Sequence, residues 1–492
     1  MKVLYVSSEV VPFAKTGGLA DVAGSLVPEL QAQGADVSLF MPFYSAARRT
    51  VHNLEDTGAR FQVTMGNDVV NGAVYKTRLP ETKVPVFLLD APELYGREEL
   101  YTSDGVPYPD NAMRFIFFSR AVLEFIIANG LNVDVVHVND WQSALVPVYL
   151  KTLYADRAEL SGVRSILTIH NLSYQGLFWH FDMDLTGLDW SLFHWKRLEF
   201  YGKINFLKGG IVYADAVTTV SKRYAREIQT EELGCGLEGV LLERADDLTG
   251  ILNGVDYTEW NPGTDKFTAA NYSAGDLGGK VICKADLQRR LGLDEDANIP
   301  ILGMITRLVE QKGVDLVADI FPKLMAMGVQ LVILGSGEEN YELQLRELAE
   351  EYPKQAAAVI AYDNALAHQI EAGADFFLMP SRFEPCGLNQ MYSLKYGTIP
   401  IVRSTGGLAD TVVHATPASL HRGRANGFVF NKATPNALLG CIKNAVQMFR
   451  ENRTAYNGLQ AGGMKQDFSW SRSAESYMSL YRKTSRQELK PV

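Results

Sequence analysis

At 492 residues the chain exceeds the length at which a single hydrophobic core stops growing, so two domains are the expected arrangement. Its composition, 47% hydrophobic and 21% charged, is that of an ordinary soluble globular protein. A net charge of −10 argues against nucleic acid, since neutralising phosphates calls for a basic face, yet it leaves room for an anionic substrate on a local basic site.

The four cysteines, Cys235, Cys283, Cys386 and Cys441, include no C-x-x-C pair, which argues against a zinc ribbon or a disulfide framework and fits a reducing compartment. Residues 1–13 read as a first strand and not as a signal peptide, and no apolar run approaches the roughly 18 residues of a membrane span. The expected setting is the cytoplasm, or a plastid stroma, with no membrane partner.

Residues 2–7 form a β-rich run, 19–33 read as a helix ending at Gly34, and 36–41 are a second strand closed by Pro42. Strand, Gly turn, helix, strand is the opening of a doubly wound α/β unit. A further strand is expected at 84–89, a helix at 112–129 stopping at Gly130, and strands at 133–138, 165–169 and 216–220. The 133–138 run is apolar apart from Asp134 and His137, as expected of a parallel strand buried on both faces. Residues 174–206 are rich in aromatics, among them Phe178, Trp179, Trp190, Phe193, Trp195, Phe200 and Tyr201. The stretch reads first as core or lid, although flat rings also suit stacking on sugars.

A strand running into an Asn-Gly turn is expected at 251–256, and the polar segment through Gly279 reads as the hinge between domains. From residue 299 the alternation restarts, with strands at 301–306, 330–334, 358–362, 376–379 and 399–402. Residues 471–483 read as a terminal helix with Tyr477, Leu480 and Tyr481 on one face. The expected division is 1–252, 253–466 and a C-terminal helical segment at 467–492.

One hexapeptide occurs twice, as Thr16-Gly17-Gly18-Leu19-Ala20-Asp21 and as Thr405-Gly406-Gly407-Leu408-Ala409-Asp410. Each copy follows a strand and opens a helix, where a Gly-Gly pair lets backbone N–H groups approach an anion. Lys15 precedes the first copy and Ser404 the second, so only the first carries a mobile cation. The same glycine geometry is expected in both, each aimed at one shared cleft.

Arg307 and Lys312, beside Gly313, leave the carboxyl end of a strand, the edge where ligands gather in open α/β sheets. A guanidinium fork and an ammonium together suit a diphosphate. Glu384, in Arg382-Phe383-Glu384-Pro385-Cys386-Gly387-Leu388, follows another strand and can accept from sugar hydroxyls or balance a developing cation. In the first domain, His137-Val138-Asn139-Asp140-Trp141 and Thr168-Ile169-His170-Asn171 end neighbouring strands and make a candidate sugar-binding rim with Lys15 and Asp21.

These motifs, taken in order along nearly the whole chain, resemble those of glycosyltransferase family 5, the bacterial glycogen synthases and plant starch synthases. Lys15-Thr16-Gly17-Gly18-Leu19 is similar to the family's K-x-G-G-L element and Ser404-Thr405-Gly406-Gly407-Leu408 to its second Gly-Gly element. Asn171-Leu172-Ser173-Tyr174-Gln175-Gly176, Asn253-Gly254-Val255-Asp256, the Glu384 string and Asp467-Phe468-Ser469-Trp470 also match family segments. The resemblance implies a GT-B architecture: α/β, two Rossmann-like doubly wound domains facing a cleft, with the C-terminal helix crossing back to the first.

It further implies retaining transfer of glucose from ADP-glucose to the non-reducing end of an α-1,4-glucan (glycogen, starch or a maltooligosaccharide), with no cofactor and no metal. By the same resemblance, the candidate catalytic residues are Lys15, His170, Glu384, Arg307 and Lys312. Donor contacts are expected from Gly18, Tyr95, Asn171, Tyr362, Cys386, Gly387, Leu388, Thr405, Gly406 and Gly407, and acceptor-side contacts from Asp21 and Asp140. Tyr362 corresponds to a ring that stacks on adenine.

The chain departs from many bacterial relatives at Asn139 and Gln142, where an H-x-H-D-W-H pattern is common, and at Asn389, where Thr is common. Three rival readings remain at this stage. A related transferase acting on another acceptor often carries a second Glu where Met391 stands; a silent glucan-binding protein would be expected to lack Lys15, Arg307 or Glu384; and a dehydrogenase is poorly served by Gly335-Ser336-Gly337.

Overall fold

A computed structural model describes residues 1–486. The chain forms two compact units, Met1–Gly254 joined by the C-terminal segment from Trp470, and Val255–Ser469. The last six residues of the expected 467–492 segment lie outside the described residues.

The first unit is built on a nine-stranded sheet. Its strands in chain order are β1 (Lys2–Val6), β2 (Asp36–Pro42), β3 (Glu55–Met65), β4 (Asp68–Arg78) and β5 (Pro85–Asp90), followed, after a small hairpin of β6 (Thr102–Ser103) and β7 (Val106–Pro107), by β8 (Val135–Asn139) and β9 (Arg164–Ile169). A separate three-stranded sheet holds β10 (Leu177–Trp179), β11 (Glu199–Phe200) and β12 (Lys203–Asn205), and the large sheet ends with β13 (Ala216–Thr219) and β14 (Leu248–Gly250). Spatial order in the large sheet is β14-β13-β9-β8-β1-β2-β5-β4-β3.

Pairing is parallel from β14 to β5. The helix Gly18–Ala32 crosses from β1 to β2, burying Leu19, Val22, Leu26 and Leu30 as a helical stripe. Antiparallel β3 and β4 extend the β5 edge, an addition that the doubly wound reading of this half did not contain. Strand 251–256 is not formed either: β14 stops at Gly250, where the main chain runs so close to the turn after β13 that a Cβ would lie 2.2 Å from the Ser221 carbonyl oxygen.

The C-terminal helix Trp470–Ser485 packs on this first unit. Tyr481 Oη lies 2.6 Å from His137 Nδ1, Ser473 Oγ donates to the Leu252 carbonyl at 2.6 Å, and Gln33 Nε2 donates to the Ser471 carbonyl at 2.7 Å. His137, read above as part of a sugar rim, is fully buried; its Nε2 meets Thr168 Oγ1 at 2.6 Å and its ring packs edge-on to Tyr5. Burial lowers its pKa to about 3, so it is a neutral core bridge for the terminal helix.

The second unit is a six-stranded parallel sheet of β15 (Ile301–Ile305), β16 (Gln330–Gly335), β17 (Ala356–Ile360), β18 (Phe376–Met379), β19 (Ile399–Arg403) and β20 (Phe428–Phe430). Its order, β17-β16-β15-β18-β19-β20, reverses direction between β15 and β18, the switch point at which the carboxyl ends of strands splay apart. Alternation within β18 feeds both faces: Phe376 and Leu378 join one core cluster, Phe377 and Met379 the other.

The segment read as a polar hinge is instead pinned to the second unit. Trp260 stacks between His368 and Tyr392, at 3.9 and 4.0 Å, and Asp265 Oδ2 takes the Tyr396 hydroxyl at 2.5 Å and meets His368 Nδ1 at 2.7 Å.

Gly254 marks the end of the first unit, and a Cβ there would lie 2.5 Å from the Trp470 backbone. Gly254→Ala is therefore expected to loosen the terminal helix and cost about 1–3 kcal/mol. Urea denaturation monitored by circular dichroism checks this, and an unchanged midpoint contradicts it.

Candidate active site

Three loops of the second unit meet at the switch point. The first leaves β15 and carries Arg307 and Lys312; the second leaves β18 and carries Ser381, Glu384, Cys386, Gly387 and Leu388; the third leaves β19 and carries Thr405, Gly406 and Gly407. A cavity of about 190 Å³ is lined by Thr306, Arg307, Lys312, Ser381, Glu384 and Gly387, with Leu388 and Asn389 also on its wall.

The loops are fastened by main chain. Arg382 N–H donates to the Gln311 carbonyl at 2.8 Å, and Gln311 Nε2 returns to the Phe383 carbonyl at 3.1 Å. Arg382 itself forks onto Asp315 at 2.9 and 2.7 Å, so it braces the loops rather than facing the cavity's ligand.

Within the cavity Lys312 Nζ lies 2.6 Å from Glu384 Oε2, which also accepts from Ser381 Oγ at 3.0 Å. Glu384 is buried, and an ion pair held this deep is sustained by its second hydrogen bond as well as by its partner. Arg307 is exposed at the mouth and makes no ion pair among the described residues, leaving its fork for a ligand. Asn389 donates to the Ile305 carbonyl at 2.9 Å, an anchoring role that Thr could not reproduce at the same reach.

The second Gly-Gly turn is dictated by crowding. A Cβ on Gly406 would sit 1.8 Å from the Glu384 carbonyl oxygen, and one on Gly407 would sit 1.9 Å from that of Cys386. Gly407 N–H already donates to the carbonyls of Glu384 and Pro385, at 3.1 and 3.2 Å. The expectation that this amide cradles a donor is therefore corrected: it holds the Glu384 loop in place. Thr405, Gly406 and Cys386 are buried beside it. Tyr362, past the end of β17, is 85% exposed.

The first unit gathers a different set. Lys15, Thr16, Gly17 and Gly18 are exposed, and a Cβ on either glycine would meet nothing within 4 Å. The two hexapeptides thus do not share one glycine geometry. Glu9, which carried no signal in the sequence, organises the first copy: its Oε2 accepts from the N–H groups of Thr16 at 2.6 Å and Gly17 at 2.9 Å, and its Oε1 accepts from Tyr101 Oη at 2.8 Å. These amides serve an internal carboxylate, while Lys15 Nζ pairs with Asp21 at 2.8 Å on the surface, a weak contact open to exchange.

Asp140 has φ of 52°, and its Oδ1 accepts from His170 N–H at 2.7 Å and its carboxylate also binds the Asn171 N–H. It therefore clamps the His170-Asn171 turn. Burial pushes its pKa up to about 7 against those hydrogen bonds. His170 Nε2 donates to Asn139 Oδ1 at 2.9 Å, a direction set by Asn139 Nδ2 donating to the Val6 carbonyl at 3.0 Å. Burial lowers the His170 pKa to about 3, so the ring is neutral and Nδ1 remains an acceptor.

Tyr95 does not join any site surface. It is fully buried, its hydroxyl donates to the Arg114 carbonyl at 2.8 Å, and its ring packs edge-on to Tyr44, so the expected donor contact is replaced by a core role. Gly335 and Gly337, dismissed above as a weak dinucleotide fingerprint, matter for another reason. They admit the Arg307 loop, since a Cβ on Gly335 would lie 1.8 Å from the Thr306 carbonyl and one on Gly337 2.3 Å from that of Leu308. Only a pattern of small residues opposite a strand end signals this in sequence.

Among the described residues no helix is long and apolar enough to cross a membrane, and no three His, Cys, Asp or Glu side chains cluster as a metal site would require.

Residues 2–243 match the family model for the starch synthase catalytic domain, and residues 286–457 that for glycosyl transferases group 1. The chain is 47% identical over 483 residues to a glycogen synthase from Anaeromyxobacter dehalogenans, covering 98% of this chain and 99% of the relative. It is 45% identical over 493 residues to glycogen synthase 1 from Geobacter sulfurreducens, covering 99% and 97%. Among solved structures, the catalytic domain of starch synthase IV from Arabidopsis thaliana, bound to ADP and acarbose, superposes with a TM-score of 0.88 at 32% identity, over 99% of both chains. A sucrose-phosphate synthase from Thermosynechococcus elongatus (TM-score 0.59, 18% identity, 98% of both chains) shares the fold. The chain has the two-domain GT-B architecture and belongs, as an enzyme, to the glycogen synthase and starch synthase family of glycosyltransferases.

Proposed function

We propose that the enzyme transfers glucose from ADP-glucose to the non-reducing end of an α-1,4-glucan, with retention at the anomeric carbon and without a metal ion. The observation that carries the reading is the convergence of Arg307, Lys312 and Glu384 on one cavity at the sheet's switch point. The ADP in the related starch synthase IV structure supports the adenine nucleotide, and exposed Tyr362 offers a face for the base.

In this reading the donor diphosphate displaces Glu384 from Lys312 and also engages Arg307, so that two protein cations meet the charge that grows on the leaving group. Glu384, released, accepts from a glucose hydroxyl. The bond from anomeric carbon to phosphate oxygen breaks, the acceptor 4-hydroxyl oxygen attacks from the same face, and its proton passes to the departing phosphate. The neutral His170 supplies Nδ1 as an acceptor for a sugar hydroxyl, and Asn171 is held beside it by Asp140. The setting proposed is cytoplasmic.

Glucose incorporation measured with ADP-glucose and with UDP-glucose, with and without glycogen, in the presence of EDTA, tests the whole reading. ADP-glucose with primer is expected to support transfer that EDTA leaves intact; preference for UDP-glucose, or loss with EDTA, contradicts it.

Arg307→Ala is expected to lower turnover by about 10²–10³ with an unchanged thermal midpoint. Turnover near that of the wild type would remove Arg307 from the mechanism.

As pH falls through about 7, Asp140 takes up a proton, loses acceptor capacity and releases the His170-Asn171 turn, so activity declines on the acid side. Stability runs the other way: a raised carboxyl pKa favours the protonated folded form, and that contribution is lost as pH rises through about 7. In Asp140→Asn the acid limb of the kcat profile is expected to flatten between pH values of about 6 and 8; a limb left in place assigns it to another group.

A further inference from the structure

Asn139 closes β8, and the proposed chemistry gives it no task. Read above as part of a sugar-binding rim, it is instead fully buried. It pairs with Thr168 across the sheet, so the turn after β9 brings the His170 side chain back over the end of β8. There two consecutive residues divide the histidine between them. Asp140 takes its backbone N–H at 2.7 Å, and Asn139 Oδ1 meets its ring at Nε2, at 2.9 Å.

Every other contact of Asn139 fixes which way its amide points. Ser143 Oγ lies 2.8 Å from both its main-chain N–H and its carbonyl, which holds the backbone. Nδ2 donates to the Val6 carbonyl at 3.0 Å. A carbonyl oxygen can only accept, so a flipped amide would set oxygen against oxygen. Oδ1 also accepts from Tyr5 Oη at 3.0 Å. Tyr5 is itself fully buried and packs edge-on to His137 with ring centroids 4.7 Å apart. Burial raises its pKa well above the usual phenol range, so it keeps the proton it donates.

One lone pair of Oδ1 is left, and it faces Nε2 of His170. A neutral imidazole carries a single N–H, and opposite an obligate acceptor that proton must sit on Nε2. Nδ1 then has a bare lone pair, and it takes no hydrogen bond among the described residues. A histidine at 139, as in the H-x-H-D-W-H pattern, would bring two tautomers of its own; the amide held by Val6 brings one orientation. The consequence reaches the ligand. An acceptor at Nδ1 takes a hydroxyl and repels a phosphate oxygen, so this tautomer sorts a sugar from a diphosphate.

We infer that Asn139 is a positioning residue: it holds His170 in the Nε2–H tautomer, so that Nδ1 accepts from a substrate hydroxyl. The inference rests on the proposed function for the identity of that substrate.

Nitrogen-15 NMR of the full chain labelled at histidine reads the tautomer, with His170→Gln identifying the resonances. In the wild type His170 is expected to be protonated at Nε2 alone. In Asn139→Leu, close to the amide in shape but without its oxygen, the Nδ1–H form is expected to appear. In the same variant kcat is expected to fall roughly 10–100-fold while KM for ADP-glucose stays within about twofold. Wild-type His170 protonated at Nδ1 overturns the inference, and so does Asn139→Leu with an unchanged tautomer or with the wild-type kcat. The spectrum does not depend on the donor. The expected tautomers in both proteins, with no transfer from ADP-glucose by the wild type, support the role of Asn139 and fail only the proposed function. Should Asn139→Leu lose its native far-UV spectrum, Asn139→Ala carries the same measurements.

Discussion

The cavity at the switch point of the second unit depends on main-chain contacts that leave no room for a Cβ. Gly406 and Gly407 lie against the carbonyls of Glu384 and Cys386, and Gly335 lies against that of Thr306. The loops leaving β18 and β19 are therefore stacked backbone on backbone, and Arg307, Lys312, Ser381 and Glu384 line the cavity beside them. Rigid main chain is what allows Lys312 and Glu384 to meet at 2.6 Å while Glu384 remains buried. The fold itself thus holds this pair in place, with Ser381 Oγ as a second donor to Glu384 at 3.0 Å.

The first unit solves a similar problem with a carboxylate. Glu9 gathers the amides of Thr16 and Gly17, and Asp140 gathers those of His170 and Asn171. In both places an acid shapes a turn at the carboxyl edge of the parallel sheet, Glu9 buried and Asp140 half-buried. One hexapeptide thus serves two mechanical purposes. In its second copy the glycines are demanded by contact; in its first they stand in open space, and Lys15 before them is exposed.

Local signals were legible in the sequence. The short apolar, β-rich runs marked β1, β2, β15, β18 and β19 nearly to the residue, and the motifs after them placed Arg307, Lys312 and Glu384 at strand ends, because strand propensity and turn chemistry are written in immediate neighbours. Membership of the family was carried by motif order alone. What lay beyond the sequence were the contacts made across long separations. Glu9 under the Lys15 loop, Tyr95 in the core, His137 bridged to Tyr481 and Gly335 beneath Thr306 each depend on where a crossover returns the chain. The antiparallel β3–β4 edge and the outward turn of Trp179 belong with them, since which face of a strand is buried is decided by the layer that packs on it. The sequence by itself determined which residue types stand at each strand end; only the tertiary structure decided which of them line the cavity and which hold the others in place, because that choice is made by partners tens to hundreds of residues away.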